Sequence, residues 1–179
     1  MNFFLVGCEI QGNPVPRVIS WRDRMDYHAV LHRELGKLPR RSLLYIEPNA
    51  ETLFADILTT PFFMVSDLVW EVMGMYGLAR LSRQVILLDS VNGRAESYRM
   101  PQLEEYSCLQ EASVRNRNNG ALEKIVIDRT QQETLPALFR LAGEERDYVI
   151  GRLDFVESIL RRGARGIRLE ELENGGEEE

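Results

Sequence analysis

The stretch PFFMVSDLVWEVMGMYG (residues 61–77) decides how the rest of the chain reads. Phe62 to Val65 form an apolar run short enough for a strand, and proline suits the first position before it. Ser66 then has the hydroxyl of a helix N-cap, and the residues to about Tyr76 keep helical character until Gly77 offers a stop. With so few polar residues, this helix is expected to be buried on most sides. The next segments are strands again. Gln84 to Asp89 and Arg94 to Met100 flank Ser-Val-Asn-Gly, whose Asn92-Gly93 pair is a strong hairpin signal.

Working toward the N-terminus, Leu43 to Ile46 and Phe3 to Cys8 read as strands. Asp26 to Leu35 reads as a helix closed by Gly36. Toward the C-terminus, Leu122 to Asp128 and Ala137 to Leu141 read as a second antiparallel pair. Tyr148 to Ile150 leads into a helix over 153–162, with Asp154 at its positive end and Arg161 and Arg162 at its negative end. Gly163 ends it, and Gly166 to Leu169 make a last strand. Residues 63–73 and 148–160 thus share one plan: strand, helix, glycine, strand. The expected fold is α+β in a single domain over 1–169. It has a mixed, largely antiparallel sheet, two main packing helices (66–76 and 153–162) and an N-terminal helix (26–35).

Composition narrows the function classes. A chain of 179 residues with 44% hydrophobic and 28% charged residues can bury a core without disulfides or metal. Two cysteines a hundred residues apart, Cys8 and Cys108, predict reduced, buried thiols and a reducing compartment. No basic segment precedes Phe3 to Val6, so this run does not read as a signal peptide, and no run is long enough for a membrane helix. The expected location is the cytoplasm. Six of the 28 acids fall in residues 170–179, and the remaining 22 are matched by 22 Lys and Arg. The excess charge therefore belongs to an expected flexible acidic tail, and the neutral body does not resemble a nucleic-acid binder.

Chemistry-bearing motifs are few. His28 and His32 share a helix face at a spacing that can hold zinc, but Ala29 stands where the metalloprotease motif needs glutamate. A solvated histidine pair explains them equally. No nucleophile elbow, phosphate loop or framed Cys–His pair occurs. The Arg161, Arg162, Arg165 and Arg168 group coincides with a helix C-terminus, where arginines are favoured without a ligand. Asp89, Glu104, Glu105 and Glu111 are candidates for an acidic face that meets a basic partner, with a solvated rim the other reading of the three glutamates. Trp21, within Trp-Arg-Asp-Arg, reads as an interface anchor or equally as a buried tryptophan with a local ion pair.

The order of these elements resembles the bacterial immunity-protein family of polymorphic and type VI toxin systems, of the myxobacterial type. The resemblance is carried by residues 61–66 running into the helix, 98–103 running on to Cys108, and 122–128. It continues through 138–141, 148–150, and 155–163 into 166–169, so that it spans most of 43–170. It implies a protein that is not an enzyme, holds no cofactor or metal, and binds and neutralises a cognate toxin. Two other readings stay open beside it: an enzyme with an unrecognised carboxylate site, and a self-associating structural module.

Overall fold

The computed structural model describes residues 1–174. In chain order, the first half contains β1 (Phe3–Cys8), β2 (Val18–Ile19), α1 (Tyr27–Leu31), β3 (Arg41–Ile46), β4 (Ile57–Leu58), β5 (Met64–Ser66) and α2 (Asp67–Met75). The long hairpin follows as β6 (Ser82–Asp89) and β7 (Arg94–Pro101), then β8 (Glu105–Tyr106), β9 (Val114–Arg115), β10 (Leu122–Lys124) and β11 (Val126–Ile127). The chain continues with β12 (Leu138–Leu141), β13 (Val149–Arg152), α3 (Leu153–Arg161), β14 (Ile167–Glu171) and β15 (Glu173–Asn174).

The fold is α+β, and its strands divide into two larger sheets rather than one. The six-stranded sheet runs β2-β3-β6-β7-β5-β4 and the five-stranded sheet β14-β1-β13-β12-β8. Most ladders are antiparallel, with β3–β6 and β12–β8 the parallel exceptions inside them. The two strand–helix–strand units have the same topology. β5 and β6 flank the antiparallel β7, just as β13 and β14 flank the antiparallel β1. Their helices meet: the Tyr76 hydroxyl donates to the Asp154 carbonyl at 2.9 Å, and its ring meets Phe155 edge-on at 5.6 Å.

Alternation along the strands sets where each core lies. Leu44, Ile46, Val85, Leu87, Tyr98 and Met100 point from the six-stranded sheet onto Met25, Ala29, Val30 and Leu35. Phe3, Phe139, Leu141 and Ile150 point from the five-stranded sheet onto Cys108, Ile125, Ile127 and Leu135. Between the sheets, Val6, Ile57, Val65 and Val149 pack with Val69, Val72, Phe155 and Ile159 of α2 and α3. Each fully buried large side chain here contributes roughly 1.5–3 kcal/mol. Asp56 pins this seam. It accepts from the Ser66 hydroxyl and the Arg165 backbone N–H, both at 2.6 Å.

Several expectations need correction. The helix expected over 26–35 stops at Leu31 and gives way to a 3-10 turn at Leu35–Lys37, because Arg33 takes a left-handed backbone (φ 55°). α2 is capped by Ser66 and followed by Gly77 at φ 70° as expected, but it is not enclosed, since Met75 is 65% exposed. Residues 122–128 do not pair with 137–141. Leu138 to Leu141 are buried on both faces and take an interior position between β13 and β8, whereas β10 pairs with β9 and β11 with β15. The body also outlasts residue 169. Glu170 and Glu171 continue β14, and Leu172 is buried. The rest of the expected acidic tail, residues 175–179, lies outside the described residues.

Candidate functional site

The site is best built from Arg33. Ending α1 with a left-handed residue turns its side chain across to the other sheet, and such non-glycine backbone costs about 1–3 kcal/mol unless its surroundings hold it. What holds it is a set of partners on the five-stranded side. Arg33 reaches Glu105 at 2.9 Å, Asp147 at 3.3 Å and the Glu144 carbonyl at 3.3 Å. Asp147 is shared with Arg140, whose Nε faces Asp147 Oδ1 in an ion pair and whose side chain is only 5% exposed. Burial lowers the pKa of the Arg140 guanidinium, and the Asp147 charge opposes that shift.

This cluster floors a cleft of about 360 Å³. Phe62, Phe63 and Met100 add apolar floor, and Trp21 and Tyr27 form one wall. Ser20, the other non-glycine residue with a left-handed backbone (φ 51°), sets the direction of Trp21. Trp21 meets Phe62 edge-on at 5.7 Å and Tyr27 at 5.9 Å. The Arg22 guanidinium lies 4.8 Å from the Tyr27 ring centre and 5.7 Å from that of Trp21. A stack of this kind holds a charged group flat and keeps its N–H edges available. Across the mouth, Arg146 is exposed and forms no ion pair among the described residues. Arg146, Asp147 and Thr59 also border a second cavity of about 540 Å³, which runs past Cys8, Leu58 and Tyr148.

Of the residues singled out from sequence, the structure brings Trp21 into this cleft and Glu105 onto its floor cluster through Arg33. Glu104 stands nearby but is taken up by an ion pair with Arg80 and by the Tyr106 hydroxyl at 2.8 Å. Glu111 is exposed on the segment that covers the far face of the five-stranded sheet. Asp89 is corrected outright. It is 1% exposed and accepts from the Val91, Asn92 and Asn49 backbones and from the Asn92 side chain, so it caps the hairpin. These hydrogen bonds, led by the Asn92 backbone, hold its carboxyl below the usual range. No acidic face assembles from the four carboxylates.

Three of the four arginines near the α3 C-terminus are likewise occupied, and Arg165 donates its backbone N–H to Asp56. Arg161 pairs with Glu157, Arg162 donates to the Ser158 carbonyl, and Arg168 reaches Glu170. His28 and His32 stack at 6.5 Å, while Asp26 caps α1 and Glu34 pairs with Lys37. Among the described residues no group of three ligating side chains could hold a metal.

Burial pushes both thiols up from 9.0 to about 11, helped by Glu9 at Cys8 and Asp128 at Cys108. A raised thiol pKa means the folded state keeps its proton longer than the unfolded chain. The stability this contributes is full below pH 9.0 and is lost as pH rises toward about 11. Near neutral pH, iodoacetamide is expected to label neither cysteine in the folded protein and both in urea, as read by mass spectrometry. Native labelling would contradict the burial.

Sequence reasoning passed over Arg33, Arg140, Arg146 and Asp147. The readable signal was Arg22, whose guanidinium lies over the Trp21 and Tyr27 rings from the 3-10 turn at Trp21–Asp23. No model of a known protein family matches this chain, and no curated protein does.

Proposed function

We propose that the chain is an immunity protein that binds and neutralises a cognate bacterial toxin in the cytoplasm, using the cleft as the receptor for the toxin's anchoring side chain. The observation that carries this reading is the Trp21–Arg22–Tyr27 stack at an open, part-apolar mouth. Tryptophan, tyrosine and arginine dominate protein-interface hot spots, because they combine large contact area with a directed polar edge. The order of sequence motifs supports the toxin as the class of partner. The acids expected to face it are mostly committed within the chain, so the contact rests on Trp21, the expected anchor, and the guanidinium over it.

The test is to induce the adjacent gene in a susceptible host with and without this protein, then to measure affinity for the co-purified pair. Rescue from killing is expected, and Trp21→Ala or Arg22→Ala is expected to weaken binding about 10- to 30-fold. Full rescue with wild-type affinity in both variants would remove the cleft from the interface. Killing without rescue would remove that neighbour as the partner.

A further inference from the structure

We infer that the cleft is also a binding site for a small planar anion: an aromatic or heteroaromatic ring bearing a carboxylate or phosphate. The inference does not depend on the toxin reading. It follows from how charge is distributed between the floor and the mouth. On the floor, Arg33 and Arg140 are matched by Asp147 and Glu105, so this layer is neutral and rigid. The exposed part of the lining holds Arg22 and Arg146 with one carboxylate, that of Glu145. Neither arginine forms an ion pair among the described residues. The protein as a whole carries a net charge of −6. Screening over about 8 Å nevertheless makes the nearby guanidinium groups, rather than the distant acids, decide what enters.

The walls specify the rest of the ligand. Tyr27 and Phe62 offer ring faces and edges 5.9 and 5.7 Å from the Trp21 ring. A flat ring can extend that arrangement by offset or edge contact, worth about 0.5–1.5 kcal/mol for each pair. Arg22 already lies over two of the rings, so its N–H groups can meet a carboxylate or phosphate with little further ordering. The volume of about 360 Å³ lies at the small end of ligand sites, which fits a one- or two-ring compound rather than a dinucleotide. The second cavity does not share this chemistry. Its walls are largely Leu5, Val6, Val15, Leu58 and Tyr148, without a stacked arginine.

Trp21 lines the site and reports on it, whereas Trp70 lies on α2 under Arg99 at 5.5 Å. A Trp70→Phe background therefore isolates the signal. Four probes suffice: phenyl phosphate and benzoate as ring anions, benzyl alcohol as the neutral ring, and inorganic phosphate as the bare anion. Saturable quenching by phenyl phosphate, benzoate or both is expected, and which of them binds names the anion. Benzyl alcohol and inorganic phosphate are expected to bind at least about tenfold more weakly. Arg22→Ala and Arg146→Ala, both at exposed positions, are each expected to weaken the ring anion about tenfold with the circular dichroism unchanged. Arg22→Lys should recover only part of the loss, since lysine keeps the charge but not the plane. The inference is overturned by quenching from neither ring anion. Equal binding of benzyl alcohol would also overturn it, as would unchanged affinity in the Arg22→Ala, Arg146→Ala double variant.

Discussion

Asp147→Ala is expected to destabilise the protein by about 3 kcal/mol, the lower end of the cost of breaking a buried ion pair. The lower end applies because the Asp147 side chain is 24% exposed, so water can partly replace it. The loss is not that of one contact. Asp147 is the carboxylate that Arg140 meets, and it also reaches Arg33 at 3.3 Å. Without it, a guanidinium with 5% exposure is left beside a second one, and the floor of the cleft carries unbalanced positive charge. The effect should be strongly non-additive. Arg140→Met combined with Asp147→Leu removes both charges, fills similar volume, and should cost less than the single Asp147→Ala change. Urea unfolding of Arg140→Met, Asp147→Leu and their double variant measures the cycle, with Asp147→Ala measured beside them. A cost below about 1 kcal/mol for Asp147→Ala would mean that the floor is solvated and not a fixed part of the site.

Gly166→Val is expected to be of the same size or larger. Gly166 has φ 68°, and a Cβ built there would lie 2.5 Å from Ala55 Cβ and 3.1 Å from Ala55 Cα. Ala55 is fully buried at the sheet seam, so its backbone cannot retreat. Two costs add: about 1–3 kcal/mol for a left-handed non-glycine residue and about 1–3 kcal/mol for overpacking. Gly163 provides the control, because its φ is 84° but nothing lies within 4 Å of an added Cβ. Gly163→Ala should therefore show the backbone cost alone, and Gly166→Ala clearly more. Equal melting temperatures for the two alanine variants would refute the Ala55 contact as the cause.

Most of the local architecture was legible because each element carries its own punctuation. The Asn-Gly turn at 92–93, the Ser66 cap and the strand of Phe3 to Cys8 are all decided within a few residues. The segment from 108 to 135 was misread because its short strands split between partners: β10 turns back on nearby β9, while β11 lies against distant Glu173 and Asn174. The site failed for a related reason. Arg140 sits inside Leu-Phe-Arg-Leu, where a single arginine looks like the polar alternate of a strand. Only the fold places Asp147 and Arg33 beside it. Asp89 misled in the opposite sense. A carboxylate just before Asn-Gly is a turn cap by its local chemistry, which outweighs its charge as a partner signal.

The insertion of β1 between β13 and β14 has a kinetic consequence. Phe3 pairs with Arg152 and Phe4 with Glu171, so β1 finds both its neighbours far later in the chain. Until those arrive, Phe3 and Val6 remain unsheltered and available to holdase chaperones. The six-stranded sheet, whose strands lie between residues 18 and 101, can assemble during translation. The five-stranded sheet closes only once β13 and β14 have been made, through the slow, long-loop search that high contact order imposes. Because the cleft draws its floor from both sheets, newly made molecules would pass through an interval in which they are present but cannot yet bind.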